Sequence, residues 1–427
     1  MKVLGWILLC LCILGVAYVF HIGFFAYALY ALLAAILVSQ ALGHYSLVGV
    51  TQERFCSARR ARIGDTFNVS VEVRNEKLLP VVWMLAEDLV PEHLEVEGTA
   101  AKVVFLRSGR SFSLAYQVKC TLRGYYQLGP LMLESGDLFG LVRRFKTGEE
   151  ANYVIVHPKV VPIWRYGIAT RRPVGEVRVQ QKIYEDPSRM VGVREYQQGD
   201  RLTRIHWRAT ARVGRLLSKV YEPTTMVGAL LALDFHAPTY GEVQRYERSE
   251  LGVVAAASLA KYICDQRQAV GFISNGRDAA DRVRWEREER EVASRAEARQ
   301  LATLRERSER LRPVEVETRR GGEQLQLILD ALARLELSDG LPFSEMLRNE
   351  YPRLPRDAAF VALVPQVTPH LLAVFEEMKR SGFVITVFIL QDPLEFHRAQ
   401  APLEAANIPA YPLEREEDLY AVATMTF

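Results

Sequence analysis

The chain has 427 residues, of which 49% are hydrophobic, and its 54 lysines and arginines against 51 aspartates and glutamates leave a formal net charge of +3. This length predicts two or three domains, and the composition excludes a disordered, collagenous or disulfide-stapled chain. The charge is unevenly distributed, because no Asp, Glu, Lys or Arg occurs between Val3 and Gln52.

Two apolar stretches, Val3 to Phe20 and Ile22 to Leu42, fill the uncharged segment. A helix of about 20 apolar residues crosses the hydrocarbon core of a bilayer, so each stretch is long enough to span once. We therefore predict a transmembrane helical hairpin over residues 1–45. A cleaved signal peptide is the competing interpretation of Lys2 and the leucines after it, but a second apolar stretch follows at once and no small-x-small cleavage site stands out.

Positive charge flanks both ends of the predicted hairpin. Lys2 precedes it, and four arginines follow it within a short distance: Arg54, Arg59, Arg60 and Arg62. Positive residues near the ends of a span favour the cytoplasmic side, so we predict that both ends lie inside the cell. The five cysteines show no CxxC spacing, which agrees with a reducing compartment and indicates neither a metal site nor a redox site.

Residues 50–165 are predicted to form a small antiparallel β-sandwich. Apolar Phe67, Val69, Val71 and Val73 alternate with polar neighbours, which is the period of a strand with one buried face. Further short strands, separated by turns rich in Gly, Pro and Asp, are predicted at 102–106, 112–118, 125–133 and 153–157. The region carries no cluster of His, Cys or carboxylates, so we expect it to act as a scaffold or a partner contact.

Residues 166–427 follow a different pattern, in which apolar strands alternate with helices. The predicted strands are 229–234, 269–274, 358–364 and 383–390, and the predicted helices are 246–267, 322–335 and 369–381. This alternation predicts a doubly wound α/β domain, a parallel sheet with helices on both faces. Residues 281–312 are about half charged with mixed signs, which predicts a solvated helical insertion and argues against nucleic-acid binding.

The most distinctive segment lies between Val193 and Pro223 and is strongly basic. Residues 198–200 predict a turn, and residues 202–211 predict a short helix in which Ile205 and Trp207 are interpreted as buried. Three interpretations of its arginines stay open. They hold the segment against the α/β domain, they form a docking surface for an acidic partner, or they contact anionic lipid or RNA.

This segment resembles a bacterial family, family fifty-eight of the domains of unknown function, whose hallmark is R-E-Y-x-x-G-D-x-x-R-x-I-x-W-x-x-x-A-R. The matching positions, together with the neighbouring Arg208, are Arg194, Glu195, Tyr196, Gly199, Asp200, Arg204, Ile205, Trp207, Ala211 and Arg212. The resemblance implies a von Willebrand factor A-like α/β domain after the sandwich. Typical A-type domains hold Mg²⁺ through D-x-S-x-S at the end of their first strand, where oxygen ligands suit a hard cation.

In this chain the corresponding position has Asp234, but His236 and Pro238 replace the two serines. We therefore predict a degenerate metal site without a bound cation, no cofactor, and a role for Asp234 as a turn or helix cap. No Walker A sequence or nucleophile elbow occurs, and His206 with Asp200 has no accompanying nucleophile, so no catalytic residue is predicted.

The resemblance further implies a non-catalytic adaptor in the bacterial inner membrane, with its soluble domains in the cytoplasm. The implied partners are a MoxR-class AAA+ ATPase and a transglutaminase-like membrane protein, and the implied role lies in envelope-related processes. Two alternatives from other functional classes stay open: a hydrolase that acts on an envelope substrate, and a divalent-metal-dependent adhesion module that faces outward.

Overall fold

A computed structural model of the chain describes residues 12, 15–16, 18–19, 23–91, 93–137, 143–148, 152–163, 184–197, 204–224, 228–281, 312–356 and 358–424. These residues fall into two compact units, Met1–His157 and Pro158–Phe427. Most of the first predicted span, Val3 to Phe20, and nearly all of the predicted insertion at 281–312 lie outside the described residues.

Helix α1, Gly23–His44, contains the second predicted span. Its segment Tyr27–His44 has a mean hydropathy of 1.5, and it is the one helix in the described part of the chain that is long and apolar enough to cross a membrane. Most of its side chains are exposed, but Ile36, Ser39 and Gly43 are buried at the three- and four-residue spacing of one helical face. That face contacts the rest of the first unit, where the Ser39 hydroxyl donates to Asp137 Oδ2 at 3.2 Å.

The first unit consists of short β-strands. Those described are β1 Val50–Cys56, β2 Arg60–Arg62, β3 Thr66–Asn75, β4 Val81–Asp88, β5 Glu95–Gly98, β6 Ala101–Leu106, β7 Ser111–Lys119, β8 Gly124–Leu128, β9 Leu131–Gly136, β10 Arg143–Thr147 and β11 Asn152–His157. Two four-stranded antiparallel sheets, in the orders β1-β3-β7-β5 and β10-β9-β4-β6, enclose one apolar core. A third, three-stranded sheet has the order β2-β11-β8.

The core of this sandwich confirms the alternation seen in the sequence. Phe67, Val69, Val71 and Val73 are all buried on the inner face of β3. The predicted single strand over 125–133 is wrong, because β8 ends at Leu128 and β9 starts at Leu131, with Gly129 and Pro130 between them. Proline has no backbone N–H to donate to a strand ladder, and Gly129 adopts a φ of 83° that favours glycine.

A buried ion pair joins the two sheets of the sandwich. The Arg54 guanidinium of β1 contacts the Asp88 carboxylate of β4, and both side chains are almost completely buried. Arg54 Nη1 also donates to the Leu128 carbonyl at 2.9 Å, and the Tyr116 hydroxyl donates to Asp88 Oδ2 at 2.5 Å. A Cβ at Gly129 would lie 2.2 Å from the Arg54 guanidinium, so glycine makes room for this arginine.

We expect Asp88→Ala to destabilise the first unit by about 3–5 kcal/mol, because it leaves the Arg54 charge buried without its carboxylate. The urea midpoint of the full chain in detergent micelles, followed by near-ultraviolet circular dichroism, measures this loss. The matched control is Glu95→Ala, which breaks the exposed pair with Lys119 and should cost less than about 1 kcal/mol. Equal losses for the two variants would contradict the role of the buried pair.

The second unit alternates strands and helices as predicted. Its strands are β12 Tyr184–Glu195, β13 Leu217–Thr224, β14 Gly228–Leu233, β15 Ala269–Ser274, β16 Arg277–Asp278, β17 Val314–Arg319, β18 Leu335–Glu336, β19 Ala358–Val364, β20 Ile385–Ile389 and β21 Ala410–Pro412. Its helices are α2 Trp207–Val213, α3 Arg245–Asp265, α4 Gly322–Arg334, α5 Phe343–Glu350, α6 Pro369–Arg380 and α7 Pro393–Ala405.

A six-stranded sheet in the order β17-β15-β14-β19-β20-β21 forms the centre of this unit. Five of these strands are parallel, and β17 pairs with β15 in the antiparallel sense. Alternate residues of β14 face opposite layers: Leu231 and Leu233 pack in one core with α3 and α4, whereas Leu230 and Ala232 pack in a second core with α5 and α6. Because β14 is buried on both faces, its sequence is apolar throughout, and the predicted parallel sheet is confirmed.

Candidate functional site

The carboxyl end of β14 is the first place to look for a site, because the strand order reverses there. In numbers that count only the strands of this sheet, its order is 3-2-1-4-5-6, with the switch between β14 and β19. Doubly wound folds bind their ligands at such a switch point. Asp234 directly follows β14, and its backbone N–H donates to the Leu363 carbonyl of β19 at 2.9 Å. The predicted candidate position therefore lies at the switch point of the sheet.

The Asp234 carboxylate is fully buried and accepts hydrogen bonds from three neighbouring groups. Oδ1 accepts from the His236 backbone N–H and from Asn275 Nδ2, both at 3.1 Å, and Oδ2 accepts from the Thr239 hydroxyl at 3.1 Å. Burial raises the pKa of Asp234, and the hydrogen bonds from His236, Asn275 and Thr239 partly oppose that rise. Asp234 is thus the centre of a turn held by neutral donors.

Asn275 connects this turn to the next strand of the sheet. It follows β15, accepts from the Phe235 backbone N–H at 2.6 Å through Oδ1, and donates from Nδ2 to the Leu341 carbonyl at 3.0 Å as well as to Asp234. Sequence reasoning missed Asn275, although its position directly after a wholly apolar strand was the available signal, since the carboxyl ends of parallel strands meet.

The backbone after Asp234 is also paired, on its other side, with Ser338. Phe235 and Ala237 exchange backbone hydrogen bonds with Ser338 at 3.1 and 2.8 Å, and His236 forms a parallel bridge to the same residue. Pro238 lies in a single 3₁₀ turn, Ala237–Tyr240, whose Tyr240 hydroxyl donates to the Asp234 carbonyl at 2.6 Å. The segment that would supply hydroxyl ligands to a cation is therefore folded into the domain, and no group of three His, Cys, Asp or Glu suited to a metal is found among the described residues.

The basic signature segment forms a second candidate site, built on the antiparallel pair β12 and β13. Glu195 pairs with Leu217 in this ladder, and Arg194 pairs with Ser218. The Tyr196 backbone N–H donates to the Leu216 carbonyl at 2.9 Å. Arg194 and Glu195 are exposed, and Glu195 forms an ion pair with Arg215 at 3.1 Å that is open to solvent. Gly199 and Asp200 lie outside the described residues.

Helix α2 is capped at both ends and is bonded to β13 at Thr210, whose hydroxyl accepts from the Leu217 backbone N–H at 3.1 Å. His206 caps the N-terminus, since its Nδ1 accepts from the Ala209 backbone N–H at 3.1 Å. Gly214 ends the helix with a φ of 73°, a left-handed conformation that favours glycine. Ile205 is buried and forms a bridge to Ser218 of β13, so it anchors the start of the helix. His206 therefore has a structural role in the cap.

The positions of α2 and of Trp207 correct two predictions. The predicted helix over 202–211 is wrong at its start, because Ile205 pairs as a β-bridge and the helix begins only at Trp207. Ile205 is buried as predicted, but Trp207 is 67% exposed. The predicted burial of Trp207 fails because no side chain of this seven-residue helix is buried. The bond from the helix to β13 is made by a different side chain, that of Thr210.

The surface of α2 combines apolar and basic side chains, and we call it the α2 surface. Its exposed apolar members are Trp207, Val213 and Leu216. Arg208 and Arg212 are exposed and four residues apart, which places them on the same side of the helix. Arg204 precedes the helix and is partly exposed. The structure thus gathers Trp207, Arg208 and Arg212 from the predicted motif, and adds Val213 and Leu216, which sequence reasoning missed.

A third feature is a groove of about 660 Å³ beside β17 and α4. Its lining mixes charges of both signs, and Arg334 pairs with Asp278 at 3.3 Å. Burial and the nearby Glu350 raise the pKa of Glu315 in this lining. Asp281 and Arg312, the first and last residues of the predicted charged insertion, also line the groove. No Ser, Thr, Cys, His or Lys is among the described residues that line this groove.

Comparison with known proteins bears on the signature segment. Residues 192–341 match a family described as "Protein of unknown function DUF58". The uncharacterized protein YeaD of Bacillus subtilis (strain 168) is 28% identical over 287 residues, which cover 65% of this chain and 70% of YeaD. The resemblance of the signature segment to this family is thus confirmed over the matched residues.

The solved structures that match part of this chain resemble it only weakly. The cryo-EM structure of native alpha-2-macroglobulin from E. coli shares 18% identity with this chain at a TM-score of 0.21, and the match covers 26% of this chain and 7% of the macroglobulin. A FixG-related protein from Vibrio parahaemolyticus shares 8% identity at a TM-score of 0.18 and covers 25% of this chain and 96% of its own. These TM-scores are too low to relate the folds.

We expect Asp234→Asn to keep the turn intact, because an amide can still accept from His236 and Asn275 and can donate to the Thr239 hydroxyl. Asp234→Ala should cost about 2 kcal/mol or more, since it leaves buried donors unpaired. Thermal unfolding of the purified chain at neutral pH measures both effects. If the alanine variant were as stable as the asparagine variant, the hydrogen bonds of Asp234 would not stabilise the fold.

Comparison of the wild type with Asp234→Asn also predicts a pH dependence. Because burial raises the pKa of Asp234 in the folded state, the contribution of Asp234 to wild-type stability falls as pH rises from about 4, the ordinary pKa of an aspartate, through the raised pKa. Asp234→Asn has no proton to lose, so its stability relative to wild type should increase over that pH range. Unfolding midpoints of both proteins, measured from acid to neutral pH, test this; parallel pH profiles would contradict it.

Proposed function

We propose that this protein is a non-catalytic, membrane-tethered adaptor that recruits a MoxR-class AAA+ ATPase and client proteins. In this proposal the α2 surface is the docking site for an acidic face of the ATPase. The observation that carries the proposal is the exposure of Trp207 on a helix whose side chains all remain accessible, next to exposed arginines. Contiguous exposed apolar patches that are rimmed by polar residues mark sites of protein interaction.

The chemistry of the α2 surface favours a protein partner with negative charge. Tryptophan and arginine are the residues that most often carry binding energy at the centre of protein interfaces. Between residues 193 and 223 the sequence has six arginines and one lysine against Glu195, Asp200 and Glu222, so an acidic face is the complementary one. Exposed Val213 and Leu216 enlarge the apolar part of the contact.

The closed switch point supports an adaptor rather than an enzyme. The place where a doubly wound domain would hold a substrate or cation is filled by the hydrogen bonds among Asp234, Thr239 and Asn275. The strand order of the sheet and the aspartate at the end of its first strand support our proposal that this unit is a von Willebrand factor A-like domain. In such a domain His236 and Pro238 replace the serines whose hydroxyls would bind a cation. We therefore place partner binding on the exposed surface of the domain and not at the end of the strand.

The membrane tether extends the proposal to the N-terminus. Helix α1 supports one span, and we propose that residues 1–45 form a hairpin with both ends in the cytoplasm of a bacterial cell, anchored in the inner membrane. A transglutaminase-like membrane protein is a further proposed partner. The arginines after α1 support the cytoplasmic placement, because positive charge next to a span is retained on that side.

We expect the double variant Arg208→Glu plus Arg212→Glu to abolish copurification of the ATPase from detergent-solubilised membranes, because the reversed charges repel its acidic face. Trp207→Ala should weaken the capture by about 2 kcal/mol or more, roughly 30-fold. Quantitative mass spectrometry of tagged pull-downs measures both. The matched control is Arg380→Glu plus Arg398→Glu, which reverses two exposed arginines on α6 and α7.

The control variant should capture as much ATPase as the wild type. Unchanged capture by the α2 variants, with their thermal unfolding intact, would refute docking at this surface. Equal loss in both double variants would show that net charge alone governs the capture.

The orientation makes a separate prediction. In intact spheroplasts, added trypsin should leave both units uncut, because they lie in the cytoplasm; lysed spheroplasts should show rapid cleavage. Immunoblotting against a C-terminal tag measures the surviving chain. Cleavage in intact spheroplasts would reverse the topology and favour an outward-facing adhesion module instead.

A further inference from the structure

One outer face of the sandwich in the first unit is apolar where it approaches α1. The inner face of the sheet β10-β9-β4-β6 contributes Met84 of β4 and Leu133 of β9 to the core. Side chains alternate along a strand, so the next residues, Leu85 and Glu134, point outward. On that outward side Val103, Phe105 and Phe145 are 66%, 57% and 63% exposed. Three large apolar side chains with this exposure require an explanation, because open water is an unfavourable environment for them.

The exposed residues form two rows across the sheet. The pairings Val103 with Leu85, Leu85 with Glu134, and Glu134 with Phe145 define one row that crosses all four strands. Four strands span about 14 Å, since neighbouring strands lie about 4.8 Å apart. The carboxylate in this row is neutralised, because Glu134 pairs with Arg143 at 3.0 Å.

The second row lies about 7 Å closer to α1, two residues further along each strand. Phe105 belongs to it, opposite the irregularity of β4 between Val81 and Met84, and Trp83 lies in that irregularity. Arg143 completes the row through its pairing with Gly136. We call these two rows the proximal face. An exposed acid, Glu87, appears only in the next row, on the far side from α1.

Asp137 fixes the position of the proximal face relative to α1. Its carboxylate accepts from the Ser39 hydroxyl of α1 at 3.2 Å, and its carbonyl accepts from Trp83 Nε1 at 3.2 Å. A Cβ at Gly43 of α1 would lie 3.0 Å from the Asp137 backbone nitrogen, so helix and sheet are in close contact here. The row of Trp83 therefore lies at the level of the last turns of α1.

The length of α1 places those last turns at the edge of a bilayer. Tyr27–His44 has 18 residues, which span about 27 Å at 1.5 Å per residue and nearly match a hydrocarbon core of about 30 Å. The headgroup layer beyond it is about 5–8 Å thick, so both rows of the proximal face fit within it or next to it. Aromatic residues are enriched in that layer, where one part of the ring is apolar and another is wet.

The edge strand of the same sheet adds positive charge. Strand β10 has the sequence RRFKT, is exposed along its whole length and carries no acid. Arg144 lies 2.8 Å from the His44 ring at the end of α1, and Lys146 donates to the Val50 carbonyl at 2.7 Å, so these two cations of β10 lie near the helix end, on the side of the strand opposite Phe145. Cations at this level are attracted by anionic phospholipid headgroups.

We infer that the proximal face rests on the lipid headgroup layer, so that the sandwich binds the membrane surface in addition to being tethered by α1. This inference rests on the proposed membrane anchor. Lipid contact explains why apolar residues occur in the two rows nearest α1 and why the acid Glu87 occurs beyond them.

Photocrosslinking of the full chain in lipid nanodiscs tests this surface. Phe105 and Phe145 are each replaced by photoreactive p-benzoylphenylalanine, which resembles the native aromatic ring and avoids changes to the core. Phe55 is the matched control, because it is 69% exposed on the outer face of the other sheet, opposite polar Ser70. Tyr30, an exposed residue within α1, is the positive control for the bilayer. After irradiation, mass spectrometry measures the yield of phospholipid adducts.

The expected result is a lipid-adduct yield at positions 105 and 145 that is several-fold above the yield at 55 and similar to the yield at 30. A high yield at 30 with positions 105 and 145 no better than 55 would overturn the inference and leave the anchor in place. A yield at 30 as low as that at 55 would show that the proposed anchor itself fails. Protein adducts of twice the chain mass at 105 and 145 would overturn the inference in favour of a second copy covering this face.

Discussion

The burial of the Asp234 carboxylate is the constraint on which the second unit depends. A carboxylate at the end of a central strand is costly unless nearby donors satisfy it, and here the His236 backbone, Thr239 and Asn275 do so. These donors come from the turn after β14 and from the end of β15, so one buried side chain orders the whole switch point. The same hydrogen bonds occupy the place where related topologies bind ligands, which directs our functional interpretation to the exterior.

Both units present their unusual side chains on the outside of well-packed cores. In the second unit, α2 is joined to its hairpin by the bridge of buried Ile205 to Ser218 and by the Thr210 hydroxyl, which accepts from the Leu217 backbone N–H, and Trp207 is left exposed. In the first unit, the buried pair of Arg54 and Asp88 closes the sandwich, and one outer face carries Phe105 and Phe145. A rigid support under an exposed aromatic residue reduces the entropy lost on binding, which suits an adaptor.

Much of the fold could be predicted from sequence periodicity, and the failures have physical causes. The predicted strands 269–274 and 358–364 match β15 and β19 to the residue, because burial on both faces requires an uninterrupted apolar run. The strand predicted over 125–133 is split at Gly129, where the close approach of Arg54 from β1 selects glycine. The start of α2 was misplaced because Ile205 pairs with Ser218, thirteen residues further along the chain.

The sequence by itself determined the apolar N-terminal helix, the alternating strands of the first unit, the parallel strands of the second and the signature segment that identifies the matched family. Each of these is encoded in residues that are neighbours in the chain. Only the tertiary structure decided which groups satisfy Asp234 and that Trp207 is exposed. It also decided that Phe105 and Phe145 share one face with Trp83 beside α1. The reason is physical: burial and hydrogen bonding depend on partners such as Asn275, 41 positions from Asp234, and local periodicity contains no information about contacts at that separation.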